Sequence, residues 1–120
     1  MLVRPTLLVA DAQQGQHRRL DPAALRLVRD VLGQLRAAGL QVLATAPDGE
    51  VELDDAEELL TKPTAWLFGN EAHGLGKELL AQADHRVRIP IRGRAESLNL
   101  ATAASICLYE SAKAQAKSRG

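Results

Sequence analysis

Apolar and polar positions follow two rhythms along these 120 residues. The run Leu7-Leu8-Val9-Ala10 is short and continuous, as in a buried strand, and the polar stretch DAQQGQHRR after it carries no period. Asp21 then offers an N-cap and Pro22 a first-turn residue. Leu25, Val28, Leu32 and Leu35 recur at helical spacing as far as Gly39, which predicts the clearest helix of the chain. Gln41 to Thr45 (QVLAT) reads as a compact strand, and APDGE after it as turn chemistry. A shorter helix is predicted at Asp54 to Leu60, ahead of Pro63 and a buried strand from Thr64 to Phe68. A turn at Gly69, a helix around Lys77 to Ala83 and a strand from His85 to Ile91 come next. After the loop RGRAES, Ser97 can cap an alanine-rich helix from about Leu98 to Ala116. Strands alternating with helices predict an α/β fold with a mainly parallel sheet, in one domain without repeats or linkers.

Composition narrows what that sheet can do. Apolar residues make up 46% of the chain but aromatics only 2%, so the core is built from Leu, Val, Ile and Ala. A stacking platform for bases, as single-strand binders use, is excluded. Fifteen basic residues cancel fifteen acidic ones, and any nucleic-acid surface has to be local. Arg86, Arg88, Arg92 and Arg94 form one such cluster, for which a solvated charged face is the commoner meaning. Cys107, the single cysteine, allows no internal disulfide and sits in an apolar helical context, which favours inert packing. No apolar run is long enough to span a bilayer and the start lacks a signal-peptide core, so a cytoplasmic protein without a membrane partner is expected.

The junction WLFGNEAHGLGKELL, Trp66 to Leu80, places a strand, a glycine turn and a helix in succession, an arrangement that often holds anions. A Walker loop is excluded because Leu75 stands where its lysine belongs. The dinucleotide fingerprint fails because Leu79 replaces its third glycine. Glu71 and His73 do not make the helical zinc signature, and no metal is expected.

Two segments taken together do fit a pattern. LFGNEAHGL (Leu67 to Leu75) followed by IPIRGRAESLNLATAAS (Ile89 to Ser105) resembles motifs 2 and 3 of the SpoU-type, or TrmH-like, RNA ribose 2′-O-methyltransferases of the SPOUT class. The resemblance implies an α/β domain whose C-terminal segment is threaded into a trefoil knot, one of the rare exceptions to unknotted folds. It implies S-adenosyl-L-methionine as cofactor, a ribose 2′-hydroxyl of rRNA or tRNA as methyl acceptor, and a homodimer built through the C-terminal helix. By the same resemblance Leu67, Gly69, Ile89 and Leu98 contact the cofactor, with Thr45 or Ala46 as weaker candidates. Glu71, Ser97 and Asn99 fall near the reacting groups, Glu71 holding an arginine or the substrate in place. Ser97 and Asn99 serve equally well as helix-capping residues. Arg92 and Arg94 are candidate phosphate contacts.

One part of the family pattern is not found. Motif 1, an Asn-x-Gly-x-x-x-Arg segment, has no match, and the first twenty residues contain no asparagine. An N-terminally shortened methyltransferase domain over residues 1–120 is therefore expected, with 1–20 the least defined part. The alternative is a truncated, non-catalytic homologue that binds cofactor or RNA, or dimerises.

Overall fold

The computed structural model describes residues 6–9, 22–69, 76–90 and 100–119, with side chains for residues 22–69, 76–90 and 101–118. Five strands, β1 (Thr6–Val9), β2 (Gln41–Thr45), β3 (Val51–Glu52), β4 (Thr64–Phe68) and β5 (His85–Arg88), form one sheet in the order β1-β4-β2-β5-β3. Every pairing is parallel, as the alternation of strands and helices predicts. Three helices accompany them: α1 (Pro22–Ala37), α2 (Lys77–Leu80) and α3 (Leu100–Arg119).

Side chains alternate across the pleat, so β2 and β4 each feed two cores. Val42, Ala44, Ala65 and Leu67 join Leu32 of α1 and Leu79 of α2 on one face. Leu43, Trp66, Phe68 and Val87 join Ala104, Cys107 and Ala114 of α3 on the other. A fully buried side chain of the size of Leu32 contributes about 1.5–3 kcal/mol, against about 0–1 kcal/mol for an exposed ion pair. The two apolar layers therefore carry the fold, and surface charges adjust it.

Helix α1 follows its spacing. Leu32 is fully buried, and Leu25, Val28 and Leu35 pack beside it. Its end is fixed by Gly39 at φ 97°, with Leu40 N–H donating to Leu35 O (3.0 Å) and Gly39 N–H to Arg36 O (2.9 Å). That pair of bonds is a Schellman motif, which favours a glycine at its left-handed position. Asp84 then ties three elements together: its Oδ2 accepts from Val42 N–H (2.7 Å), its own N–H donates to Val42 O (2.7 Å), and its Oδ1 accepts from Arg36 Nε (3.3 Å).

The structure corrects four boundaries. The helix predicted at Asp54 to Leu60 is instead two 3₁₀ turns, Leu53–Asp55 and Leu59–Thr61. Seven residues ahead of a proline are too few to hold an isolated α-helix, and the two turns let Leu53, Ala56 and Leu60 all reach the α3 core. Helix α2 stops at Leu80 rather than Ala83: Gln82 and Ala83 N–H donate only three residues back, to Leu79 O (3.0 Å) and Leu80 O (3.2 Å), and Asp84 N–H turns away to Val42 O (2.7 Å). Strand β5 ends at Arg88, since Pro90 has no N–H for a ladder. Strand β3 was not predicted at all; its two residues sit inside what reads as turn chemistry.

Helix α3 is described from Leu100 to Arg119 and packs through Ala104, Cys107, Ser111 and Ala114; the expected start at Leu98 lies outside the described residues. The indole of Trp66 donates to Ser111 Oγ (2.9 Å), and Gln115 Nε2 to Lys62 O (3.2 Å). Cys107 is fully buried, in line with a packing role.

Candidate functional site

Because all five strands run the same way, their carboxyl ends share one edge of the sheet, where ligands of open α/β sheets bind. The register pairs Ala44 with Leu67 and Thr45 with Val87. Gly69, just past β4, and Ile89, just past β5, are therefore brought to either side of Thr45 at the end of β2. Phe68 and Ile89 belong to one apolar cluster, and Phe68 stacks on Trp66 with ring centroids 5.9 Å apart.

Five of the sequence-predicted site residues are described, Leu67, Gly69, Thr45, Ala46 and Ile89, and they lie at or beside this edge. Gly69, Thr45 and Ile89 are half-buried there. Leu67 is fully buried, with its side chain in the core beneath α1, so only its main chain can face a ligand. Glu71, Ser97, Leu98, Asn99, Arg92 and Arg94 lie outside the described residues. The edge offers main chain and small or apolar side chains, a surface suited to a nucleoside approaching backbone closely. Gly69 fits that use because it presents no side chain.

The end of β2 is held in an unusual way. Ala46 N–H continues the ladder by donating to Val87 O (3.0 Å), and Gly49 N–H closes a turn onto Ala46 O (3.1 Å). Gly49 is buried, and a Cβ built on it would lie 2.6 Å from Arg86 O and 2.8 Å from Val87 C. Beside it, Arg86 Nε and Nη2 donate to the two oxygens of Glu50, each at 2.8 Å. His85 Nδ1 stands 3.6 Å from the same carboxylate. Arg88 donates to Glu52 Oε1 (3.2 Å) and to Gly49 O (3.2 Å).

This geometry divides the arginine cluster. Arg86 and Arg88 are matched by Glu50 and Glu52, so they act within the protein and not as a free basic face. The forked hydrogen bond to Arg86 holds the Glu50 carboxyl at about 2, and the same bond raises Arg86. Burial pushes the Cys107 thiol up to about 12, with Glu110 adding to it. All three move away from neutrality, so none of them is poised as a general base near pH 7. Among the described residues no group of three or more His, Cys, Asp or Glu could hold a metal ion, and no helix is long and apolar enough to cross a membrane.

A second hollow, about 230 Å³, lies between the 3₁₀ turns and the later part of α3, lined by Leu53, Leu60 and Ala114 and bridged by Lys117 and Glu57 (3.2 Å). It sits toward the amino end of β4, away from the converging strand ends.

Comparison with known proteins places this arrangement. The sequence profile described as the SpoU rRNA Methylase family matches residues 4–109. The chain is 34% identical over 103 residues to the tRNA (guanosine(18)-2′-O)-methyltransferase of Escherichia coli K12, which is 85% of this chain and 44% of that protein. It is 36% identical over 89 residues to a 23S rRNA (guanosine-2′-O-)-methyltransferase of Nitrosomonas europaea, covering 74% of this chain and 34% of the relative. Among solved structures, the SpoU methyltransferase AviRb of Streptomyces viridochromogenes in complex with AdoMet superposes with a TM-score of 0.61 at 37% identity, over 73% of this chain and 33% of that one. The chain thus spans less than half the length of these relatives.

Proposed function

This chain belongs to the SpoU rRNA methylase family, and we propose that it is the cofactor-binding part of an RNA 2′-O-ribose methyltransferase, acting with S-adenosyl-L-methionine on tRNA or rRNA. The observation that carries the reading is the convergence of Gly69 and Ile89, the described ends of the two family motifs, on either side of Thr45 at the carboxyl edge. S-adenosyl-L-methionine, when bound, would supply an electrophilic sulfonium methyl group for transfer to the ribose oxygen, with the thioether S-adenosylhomocysteine as leaving group and the hydroxyl proton passing to a base.

The chain's own residues then have distinct tasks. The main chain of Leu67 and Gly69 and the half-buried Thr45 and Ile89 hold the nucleoside, with Leu98 as a further cofactor contact. Glu71, Ser97 and Asn99 orient the reacting ends, and Arg92 and Arg94 take RNA phosphates. The threaded knot brings these segments together, and the whole of residues 1–120 acts as one methyltransferase domain in the cytoplasm. A homodimer forms through α3, whose outer side carries Ala101, Ser105, Tyr109, Ala112 and Ala116, all exposed. Small side chains there permit close helix approach.

A second reading has its own support. No Asn-x-Gly-x-x-x-Arg segment occurs within the 120 residues; the resemblance implies that its arginine assists deprotonation of the ribose hydroxyl, and such acid–base assistance is worth ~10²–10⁴ in rate. A chain that binds cofactor or RNA, or that dimerises, without turnover of its own fits that sequence. Calorimetry with S-adenosylmethionine, followed by transfer of labelled methyl to bulk RNA, separates the two. Binding with transfer supports the enzyme; binding without transfer at high protein concentration supports the module; no binding refutes the pocket.

A further inference from the structure

The turn that ends β2 is fastened to β5 more tightly than a surface turn requires. Residues 46–49 form a β-turn with Pro47 at its second position, which suits a fixed φ near −65°. Gly49 presses its Cα against the β5 main chain, where the nearest atoms to an added Cβ are Arg86 O, Arg86 C and Val87 C at 2.6, 2.8 and 2.8 Å. These are backbone atoms of a central strand, so no side-chain rotation could relieve the clash. The Glu50–Arg86 fork and the Arg88 bond to Gly49 O fasten the same turn from its other side. Arg86 is itself anchored by the carbonyls of Leu80 and Ala83, so the fork joins the turn to the α2 layer.

We propose that Gly49 and the Glu50–Arg86 pair are positioning residues that set the spacing between the ends of β2 and β5, and through it the width of the cofactor slot. This inference rests on the cofactor reading above. Thr45 and Ala46 are the residues displaced when the turn lifts, because Ala46 is bonded at once to Gly49 and to Val87. An exposed fork contributes little to global stability. Its effect falls on where the turn sits, not on whether the sheet forms.

The test compares E50A, E50Q and Gly49→Ala with E57A in the full chain, measuring S-adenosylmethionine affinity by calorimetry and thermal midpoint by circular dichroism. E57A removes an exposed ion pair to Lys117 of α3 and serves as the matched loss of a surface charge pair. Expected is an affinity at least fivefold weaker in E50A with an almost unchanged midpoint, a smaller loss in E50Q, which keeps one acceptor oxygen, and wild-type affinity in E57A. Gly49→Ala loses affinity more than tenfold where it folds; E50A and E50Q carry the test where it does not. Wild-type affinity in both E50A and E50Q, or an equal loss in E57A, overturns the positioning role while the cofactor site stands. A wild-type chain that binds no S-adenosylmethionine overturns the cofactor reading itself and this proposal with it.

Discussion

The indole Nε1–H of Trp66 donates to the hydroxyl oxygen of Ser111 across 2.9 Å, with both side chains shut off from solvent. That one bond joins β4, which leads to Gly69, to the helix α3 that continues from the later of the two family motifs. Ser111→Ala leaves a buried donor without its partner, which costs about 1–3 kcal/mol. Urea unfolding is expected to show a lower midpoint with an unchanged slope.

Two glycines of the α1 region respond in opposite directions to the same substitution. Gly39 stands at φ 97°, where Ala costs roughly 1–2 kcal/mol. Gly33 lies exposed within the helix with nothing within 4 Å of an added Cβ, so Ala there stabilises by roughly 0.5–1 kcal/mol. Equilibrium unfolding of Gly39→Ala and Gly33→Ala checks both signs.

Acid affects the Glu50 fork in a defined window. The folded carboxyl is lowered from 4.5 to about 2 by its hydrogen bonds to Arg86. A depressed carboxylate stabilises the native state fully above its unfolded value and progressively less as pH falls through the folded one. His85, Arg86 and Arg88 face this region, and the lowered Glu50 carboxyl sets the window. The difference in thermal midpoint between wild type and E50Q is expected to be small, constant above pH 5 and gone near pH 2.

Cys107 reports on the closure of the α3 core. Its thiol is raised from 9.0 to about 12, chiefly by burial. Reaction needs the thiolate, and three pH units less acidity means on the order of a thousandfold less of it at pH 8. Native chain is expected to react with a thiol reagent at least that much more slowly than chain in urea. A group raised in this way favours folding below pH 9 and loses that contribution as pH climbs toward 12.

Much of the fold was legible because its signals are local. The spacing of Leu25, Val28, Leu32 and Leu35 marks α1, and the apolar runs QVLAT and TAWLF mark strands that are buried on both faces. The segment Asp54 to Leu60 misled because Leu53, Ala56 and Leu60 keep helical spacing while two separate turns deliver them to the core. Strand β3 was hidden in turn chemistry, yet a signal existed: Glu-Val-Glu at 50–52 and Arg-Val-Arg at 86–88 are complementary at period two. The register Val51 with Val87 and Glu52 with Arg88 is the pairing they spell. In the candidate site, Gly69 and Ile89 were expected from the two family motifs, and Thr45, more weakly, from the wider resemblance. Gly49 was missed because its constraint is a contact with β5, remote in sequence, that no local pattern records.

The central claim is that the carboxyl ends of β2, β4 and β5 form a nucleoside slot, and amide chemical shifts during titration with S-adenosylhomocysteine test it most directly. The predicted result is a saturable set of shifts centred on Thr45, Ala46, Gly69 and Ile89, with Gln41 and Thr64 at the opposite edge unmoved. Shifts confined to other surfaces, or no shifts at millimolar ligand, would contradict it.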